Sequence, residues 1–464
     1  MLHLTEPGRG WSRREFLSIG SLALGGLALP DLLQAQAALR AEGSPVKDCS
    51  VVFLFMHGGP PQTELFDPKM DAPDGVRSAT GEIKTTLPGV TFGGTFPKLA
   101  RLAHKFSVVR SFVTGDGNHD IKPIVGRETA GANLGSIYAR VAGTTHPQSG
   151  LPRNVALYPQ AVLPDTQPAT MQFGKFGSTG ELGSAYAPFE PSGGGSMKQD
   201  MEMALPRERL MDRRSLLNNL DQIRFAMEAP DALVGVDRYR TQAFDTILGG
   251  AAEAFDLSRE DPRTLARYDT EPVIRIDRIS QKWNNHKNYA DHARSLGKLM
   301  LLARRLCERG CGFVTVTTNF VWDMHADVNN ATVAEGMGYV GTPFDHAVSA
   351  FIQDVEQRGL SERILLVCCG EMGRTPRINP RGGRDHWGGL APLMLHGGGL
   401  KMGQVVGQSN RDAGEPSSNP VTIGNLIATV MHVLLDAGQV RATAGVPRSV
   451  ASAITGHAPI AELI

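Results

Sequence analysis

The chain has 464 residues, of which 41% are hydrophobic and 20% are charged, enough to bury a large core in one α/β domain or two smaller ones. Its 47 basic and 47 acidic residues balance. This balance excludes both a basic field that would hold nucleic acid and an acidic tail, so we expect no nucleic-acid partner.

The amino terminus resembles a twin-arginine export signal. Residues 12–17 read SRREFL, residues 19–29 form a short, weakly hydrophobic core, and Ala35-Gln36-Ala37 offers a cleavage site. The core is too short to span a bilayer, so we expect no membrane segment in the mature protein. The alternative is a chance Arg-Arg pair ahead of a buried helix. The signal predicts cleavage after residue 37 and a periplasmic or cell-surface location.

The first predicted strand covers residues 50–56, an apolar run that leads into the loop HGGPPQTELFD. Two glycines and two prolines exclude a helix there, so His57, Glu64 and Asp67 lie on a loop at the strand's carboxyl end. We take His57 as the better candidate ligand. Asp67 precedes a proline, and an ordinary turn residue is an equal alternative for it.

Residues 96–104 predict a short helix, and residues 106–112 alternate as a strand does. That strand opens into a loop that carries Asp116, His119 and Asp120. His119 is a candidate catalytic residue, and a solvated loop histidine is the alternative.

Residues 150–200 are rich in proline and glycine and predict an irregular insertion or a substrate-side loop. Residues 200–310 predict helices. The last of these buries Leu299, Leu302 and Leu306 and places its arginines in solvent. Residues 48–464 are thus expected to form a single domain that contains this insertion and this helical region.

Polar residues follow three apolar segments between residues 312 and 387. Asp323 and His325 follow the strand at 313–316, Glu371 and Arg374 follow the strand at 364–369, and a glycine-rich turn presents Asp385 and His386. A helix spans about 344–355 between the two strands. Polar residues at the carboxyl ends of strands are where an open α/β sheet builds its active site. If the strands are neighbours, these residues converge.

The remaining elements are an edge strand that contains residues 391–395 and a final helix near 423–435. Cys368 and Cys369 lie inside an apolar strand, where they read as small buried residues. The minority alternative for the five cysteines is a Cys307–Cys311 disulfide.

Asp, Glu and His side chains together suit a divalent cation: zinc, magnesium, manganese or calcium. Such an ion polarises an ester's oxygens and lowers the pKa of bound water. Arg374, and Arg384 beside Asp385, are candidates to bind a phosphate or sulfate oxygen. For either arginine, an ion pair with a neighbouring carboxylate is the alternative.

Several motifs resemble an exported bacterial family, a domain of unknown function numbered 1501, which is placed in the alkaline phosphatase and sulfatase superfamily. They are HGGPPQTELFDPK (57–69), LLARRLCERGCGFVTV (301–316), WDMH (322–325), GEMGRTPRIN (370–379), GRDHW (383–387) and HGGGLKMGQVVG (396–407). The resemblance covers nearly the whole mature chain. It implies an alkaline-phosphatase-like α/β fold, with a mostly parallel central sheet, helices on both faces and metal at the strand ends.

The same resemblance assigns roles to residues. Asp323 and His325 match a metal pair, Glu371 falls where an Asp-His pair is usual, and His386 matches a late metal histidine. His57 and Gly58 stand where the first-strand aspartate is expected, which leaves Asp67 or Glu64 as substitutes. The loop that should hold a Ser, Thr or Cys nucleophile reads GDGNHD.

Two functions follow from these patterns. One is a metal-dependent hydrolase of phosphate or sulfate esters, with polysaccharide esters among the candidate substrates. In it, either water attacks or His119 serves as nucleophile or general base. The other is a metal-stabilised binding or structural protein that has lost the chemistry. We predict the following site. His119 and Arg374 are catalytic, Arg384 and Asp385 bind substrate, and Asp323, His325, Glu371, His386, His57 and Asp67 bind metal.

Overall fold

The structure is a computed structural model that describes residues 44–191, 209 and 251–464 except 444. The predicted export signal and the predicted helices between residues 200 and 250 lie outside these residues. The described helices are α1 Gln62–Leu65, α2 Pro97–Arg101, α3 Leu134–Ala142, α4 Ala251–Phe255, α5 Pro262–Tyr268, α6 His286–Glu308, α7 Val333–Gly336, α8 Thr342–Gln357, α9 Ile423–Leu434, α10 Ala437–Ala442 and α11 Arg448–Thr455.

The strands are β1 Ser50–Phe55, β2 Glu82–Lys84, β3 Thr91–Gly93, β4 Ser107–Val109, β5 Phe112–Val113, β6 Asn154–Leu157, β7 Phe313–Val316, β8 Ile364–Cys369, β9 Gly373–Arg374, β10 His386–Trp387, β11 Leu393–Gly397, β12 Val405–Val406 and β13 Val421–Thr422. Seven of them form one sheet in the order β12-β4-β11-β8-β1-β7-β6. Only β11 runs against the others in this sheet, because both of its pairings are antiparallel.

Helices cover both faces of the sheet, because the β1 side chains alternate between two apolar clusters. Val52 and Leu54 belong to the cluster that contains α6 and α8. Val51 and Phe53 belong to the cluster that contains α3 and α9. Strands buried on both faces read as continuous apolar runs, as β1 and β8 do. The predicted fold class, a mostly parallel sheet between two helical layers, is confirmed.

Three local predictions are corrected. The strand predicted in PLMLHGGG (392–399) does not lie at an edge: β11 lies inside the sheet between β4 and β8. Local pattern carries no information on which strand lies beside which. The insertion at 150–200 is not wholly irregular, because it contributes β6, which pairs with β7 at the sheet's edge. The segment after β1 is not free of helix, because α1 places Glu64 in a single helical turn. The five cysteines are free thiols, and Cys368 and Cys369 are buried as expected.

Two of the three arginines of α6, Arg304 and Arg305, are buried, although the sequence pattern places them in solvent. Arg304 lies 2.6 Å from Glu260 and 2.9 Å from Asp354, and Arg305 lies 2.9 Å from the same Glu260 oxygen. The charged face of α6 packs against the α4–α5 segment and α8, which supply these carboxylates. Buried charges persist where they are paired in this way.

Candidate metal centre

The sheet brings the predicted strand-end residues together. β8, β1 and β7 are adjacent and parallel, so the loops that follow them all begin at the carboxyl ends of the strands, on the same side of the sheet. These loops carry His57 after β1, Asp323 and His325 after β7, and Glu371 after β8. His386 joins them because β10 pairs with β9, which places His386 opposite Arg374.

Three side chains form a group that can hold a metal ion: His119, Asp323 and His386. Their ligand atoms all lie within 4.8 Å of one another. The Nε2 atoms of His119 and His386 lie 3.6 and 3.5 Å from the same oxygen, Oδ1 of Asp323. Asp323 itself is buried.

This group fits a divalent cation on two grounds. The His386 Nε2 atom is buried and has no hydrogen-bond partner in the described part of the chain. Ligand atoms on a tetrahedral zinc ion at bond lengths of about 2.0–2.1 Å lie about 3.4 Å apart, close to the two nitrogen–oxygen distances here. Two imidazoles and one carboxylate leave a fourth position open, and imidazole favours zinc over calcium, magnesium or manganese.

Glu371 orients His119. Its Oε1 atom lies 3.0 Å from Nδ1 of His119 and accepts a 2.9 Å hydrogen bond from the Gly58 amide. Because Nδ1 faces Glu371, Nε2 is the nitrogen directed toward Asp323. A carboxylate behind a histidine ligand fixes the tautomer and orientation of the ring. His119, predicted to be catalytic, therefore lies within the candidate ligand group, and Glu371, predicted to be a ligand, lies behind it.

Asp323 is ionised by its surroundings. Burial alone would raise its pKa, but Arg374, whose Nη2 lies 2.5 Å from Oδ1, and the neighbouring histidines, of which His325 forms a hydrogen bond, hold that pKa far below its usual range. The second oxygen, Oδ2, lies 2.8 Å from Nε2 of His325 and accepts a 2.9 Å bond from Asn330. For His119, burial lowers the pKa, yet its hydrogen bonds to Asp323 and Glu371 raise it overall.

Both candidate arginines form ion pairs, the alternative left open above. Arg374 is fully buried and donates to Asp323 and to the carbonyls of Gly58, Gly59 and Arg384. Arg384 is also fully buried. It pairs with Glu64 at 3.0 Å and donates to the carbonyls of Val76 and Arg77. Neither lines the cavity beside the centre. The substrate-binding role of the two arginines stays a prediction, and their observed contacts match the ion-pair alternative.

Four other predicted residues lie outside the ligand group: His325, Asp67, Asp385 and His57. His325 pairs with Asp323 at 2.8 Å. Asp67 bonds with Ser409 and pairs with Lys69 and Arg110, which engage its carboxylate. Asp385 is exposed and accepts a hydrogen bond from Asn379.

His57 is buried among the rings of Phe55, Phe173, Phe176 and Phe320. Burial lowers its pKa to about 4, so it is neutral at pH 7.

An open cavity of about 490 Å³ adjoins the centre. Its described lining is His119, Thr170, Gln172, Phe173, Asn285, Asn288, Phe320, Asp323, His325, Asp327, Asn329, Asn330 and His386. The asparagines and phenylalanines of this lining were missed from the sequence. The doubled asparagines at 284–285 and 329–330 are the one local signal for them. The segment around Gln172 belongs to the predicted insertion, in line with its substrate-side alternative.

Two glycines hold the His119 and His386 loops together. A Cβ at Gly117 would lie 3.1 Å from the His386 Cβ, and a Cβ at Gly388 would lie 2.4 Å from the backbone of Asp116. The amides of Thr114 and Gly115 also donate to the Gly388 carbonyl. The two histidines meet because their loops touch at backbone distance.

Replacing Gly388 with alanine is therefore expected to separate the loops. We expect about 2 kcal/mol of lost stability and weaker metal binding, because backbone atoms must move to admit the methyl group. Calorimetric metal titration and urea unfolding of the variant measure both effects. Gly338→Ala is the matched control, since a Cβ there meets no atom within 4 Å. Equal metal affinity in wild type and Gly388→Ala would contradict the prediction.

In the described residues, no helix is long and apolar enough to cross a membrane.

Comparison with curated proteins gave no match. Comparison with solved structures gave low-identity similarities. The sulfatase PsFucS1 from Pseudoalteromonas sp. is 12% identical with a TM-score of 0.35, covering 86% of this chain and 69% of that chain.

Ps i-CgsB is 11% identical with a TM-score of 0.35, covering 85% and 74% of the two chains. The phosphonate monoester hydrolase of Agrobacterium radiobacter is 10% identical with a TM-score of 0.34, covering 84% and 74%. At these identities the similarity concerns the fold alone. One sequence family matches residues 48–457, and the chain belongs to it: the family described as "Protein of unknown function (DUF1501)".

Proposed function

We propose that this protein is an exported, metal-dependent hydrolase of phosphate or sulfate esters. The observation that carries the proposal is the group of His119, Asp323 and His386 beside an open cavity. Three protein ligands with a free fourth position are typical of catalytic rather than structural metal sites. Export rests on the twin-arginine pattern of the amino terminus.

The chain's own residues divide the work of such a reaction. His119, Asp323 and His386 hold the cation, which when bound polarises the ester oxygens and lowers the pKa of water. Glu371 fixes the ring of His119, and Arg374 keeps Asp323 ionised. His325 lies in the cavity wall and is placed to take up or deliver a proton. The described cavity lining contains one hydroxyl side chain, Thr170, and no serine or cysteine. Water is the nucleophile in this proposal, because the cation would lower the pKa of bound water.

His386→Ala tests the proposal. We expect the wild type to retain zinc and to hydrolyse 4-nitrophenyl phosphate or sulfate. We expect the variant to lose the metal and its kcat/KM to fall by more than about 100-fold. A direct metal ligand contributes at least as much to activity as the residues that hydrogen-bond to the ligands. Elemental analysis and the two assays give both readings. His104→Ala is the control, because His104 is exposed and does not line the cavity.

The alternative predicts a different pattern. A non-catalytic metal-stabilised protein would bind the cation, lose stability in His386→Ala and hydrolyse neither ester. That result would replace the hydrolase proposal, and absence of bound metal in the wild type would overturn both.

A further inference from the structure

Amide side chains dominate one part of the cavity beside the metal centre. Asn285, Asn288, Asn329 and Asn330 line it, together with Gln172. Each amide group both donates and accepts hydrogen bonds, as a sugar hydroxyl also does. This feature plays no part in holding the metal, apart from the single bond from Asn330 to Asp323.

The asparagines are held in place by one another. Asn288 donates to Asn285 at 3.2 Å, Asn285 donates to Asn330 at 2.7 Å, and Asn330 donates to Asp323 at 2.9 Å. All three bonds run in one direction, which ends on the Asp323 carboxylate. Side chains fixed in this way lose little further entropy when a ligand binds.

Hydrogen-bonding capacity remains for a ligand. The Asn329 side chain accepts a 2.8 Å bond from Asn284, but its own amide hydrogens reach no described residue. Gln172 is exposed beside it in the lining. Unused amide groups on a cavity wall can hold a ligand's hydroxyls and fix its orientation.

An aromatic pair borders the same cavity. Phe173 and Phe320 stack with their centroids 4.6 Å apart, and their rings lie 5.0 and 4.6 Å from the His119 ring. Phe173 is only half-buried. An aromatic face beside a row of amides offers packing for a flat apolar surface whose edge is polar, and a sugar ring has that form.

Two exposed apolar residues are sequence neighbours of the cavity lining. Met171 is 41% exposed and Val328 is 67% exposed, two of the three large hydrophobic side chains exposed in the described chain. Gln172, which follows Met171, and Asn329, which follows Val328, both line the cavity. A contiguous exposed apolar patch marks a surface that contacts a larger ligand, and we assign these two side chains to such a patch.

The charge of the lining argues against a strongly anionic ligand body. Asp323 and Asp327 contribute carboxylates, and the described lining contains no lysine or arginine. A nucleotide or other polyanion would meet these carboxylates without a fixed cation, apart from the metal, to compensate. A lipid would find few apolar contacts beyond the two phenylalanines.

We propose that the cavity is a carbohydrate subsite, so that the ester cleaved in the proposed function is carried by a sugar. Hydroxyl groups of the sugar bond with Asn285, Asn288 and Asn329, its ring packs on Phe173, and the chain continues past Met171 and Val328. The single ester group enters the metal centre. This inference rests on the proposed function for the cleavage step, but not for binding of the sugar.

Binding is tested without turnover. The metal-loaded mature protein is screened on an array of neutral and sulfated oligosaccharides, and the strongest neutral binder is titrated by calorimetry. We expect a Kd of about 1 mM or tighter for the wild type. Asn288→Ala and Phe173→Ala should each raise the Kd about tenfold, because the first removes one hydrogen bond to the sugar and the second removes the aromatic ring on which the sugar packs. Gln148→Ala, an exposed amide away from this cavity, is the control and is expected to bind as wild type does.

The outcomes separate the two proposals. Hydrolysis of the aryl esters with no oligosaccharide bound overturns the sugar subsite and leaves the hydrolase. Sugar binding that both variants weaken, without hydrolysis of any ester, supports the subsite and overturns the hydrolase. Sugar binding that neither variant weakens places the ligand elsewhere and overturns the subsite. Unfolding curves of Asn288→Ala and Phe173→Ala, matched to wild type, show that lost binding is not lost folding.

Discussion

Asp323→Asn is expected to abolish metal binding and to destabilise the protein at the same time. The carboxylate supplies the oxygen that both histidine nitrogens face, and it is the partner of the fully buried Arg374. Asparagine removes the charge and leaves that guanidinium without its counterion. Breaking a buried pair in this way costs about 3–5 kcal/mol. Elemental analysis and urea unfolding measure the two losses.

The double variant Asp323→Asn/Arg374→Met separates the two effects. Removal of the stranded charge is expected to restore part of the stability but none of the metal binding, because the ligand oxygen is still neutral. Asp385→Asn, an exposed aspartate outside the ligand group, is the matched control. Full metal retention in Asp323→Asn would show that the centre was assigned wrongly.

Glu260→Gln is expected to lower stability by roughly 3 kcal/mol at pH 7. Burial raises the pKa of Glu260, but hydrogen bonds from Arg305 and Arg304 lower it from 4.5 to about 2. Because the pKa of Glu260 is lower in the folded than in the unfolded protein, the ionised carboxylate stabilises the fold fully above pH 4.5, and this stabilisation is lost as the pH falls through 2. The difference between the two pKa values corresponds to roughly 3 kcal/mol.

The pH dependence of this variant is the discriminating measurement. The difference in free energy of unfolding between wild type and Glu260→Gln should be full at pH 7 and shrink steadily between pH 4.5 and pH 2. Glu253→Gln serves as the control, because its side chain is half exposed and its ion pairs are worth about 0–1 kcal/mol. A difference that does not change with pH would mean that the ionised carboxylate is not the source of the stability.

The sequence predicted the elements that carry the site better than the roles within it. Continuous apolar runs identified β1 and β8, because burial on two faces leaves a plain signature. Asp323, which follows β7, and His386, which lies in the glycine-rich turn, were also singled out from the sequence. The relative placement of His119 and Glu371 was not predictable. It depends on which side chain stands in front of the other, and this is set by contacts between loops more than 250 residues apart.

The arginines show the same limit. Arg374 and Arg384 sit beside metal-type residues in the chain, and that position suggested substrate binding. Their orientation is instead set by carbonyls and carboxylates from residues 58–77, which local spacing cannot reveal. Likewise, the asparagines of the cavity carry no periodicity, so only the folded chain shows that they share a wall.

The central position of β1 has a consequence for biosynthesis. This strand is made first, yet its neighbours in the sheet are Phe313–Val316 and Ile364–Cys369. Pairing across such long stretches of chain delays folding until the distant partners exist. In a growing chain, the strands β7 and β8 that flank β1 are therefore not both present until the last quarter of the chain is being made, and only then can the loop with His386 pack beside the loops that follow them. Products that end before residue 386 lack one of the three candidate ligands, so we expect an ion to bind only after this part of the chain has been made.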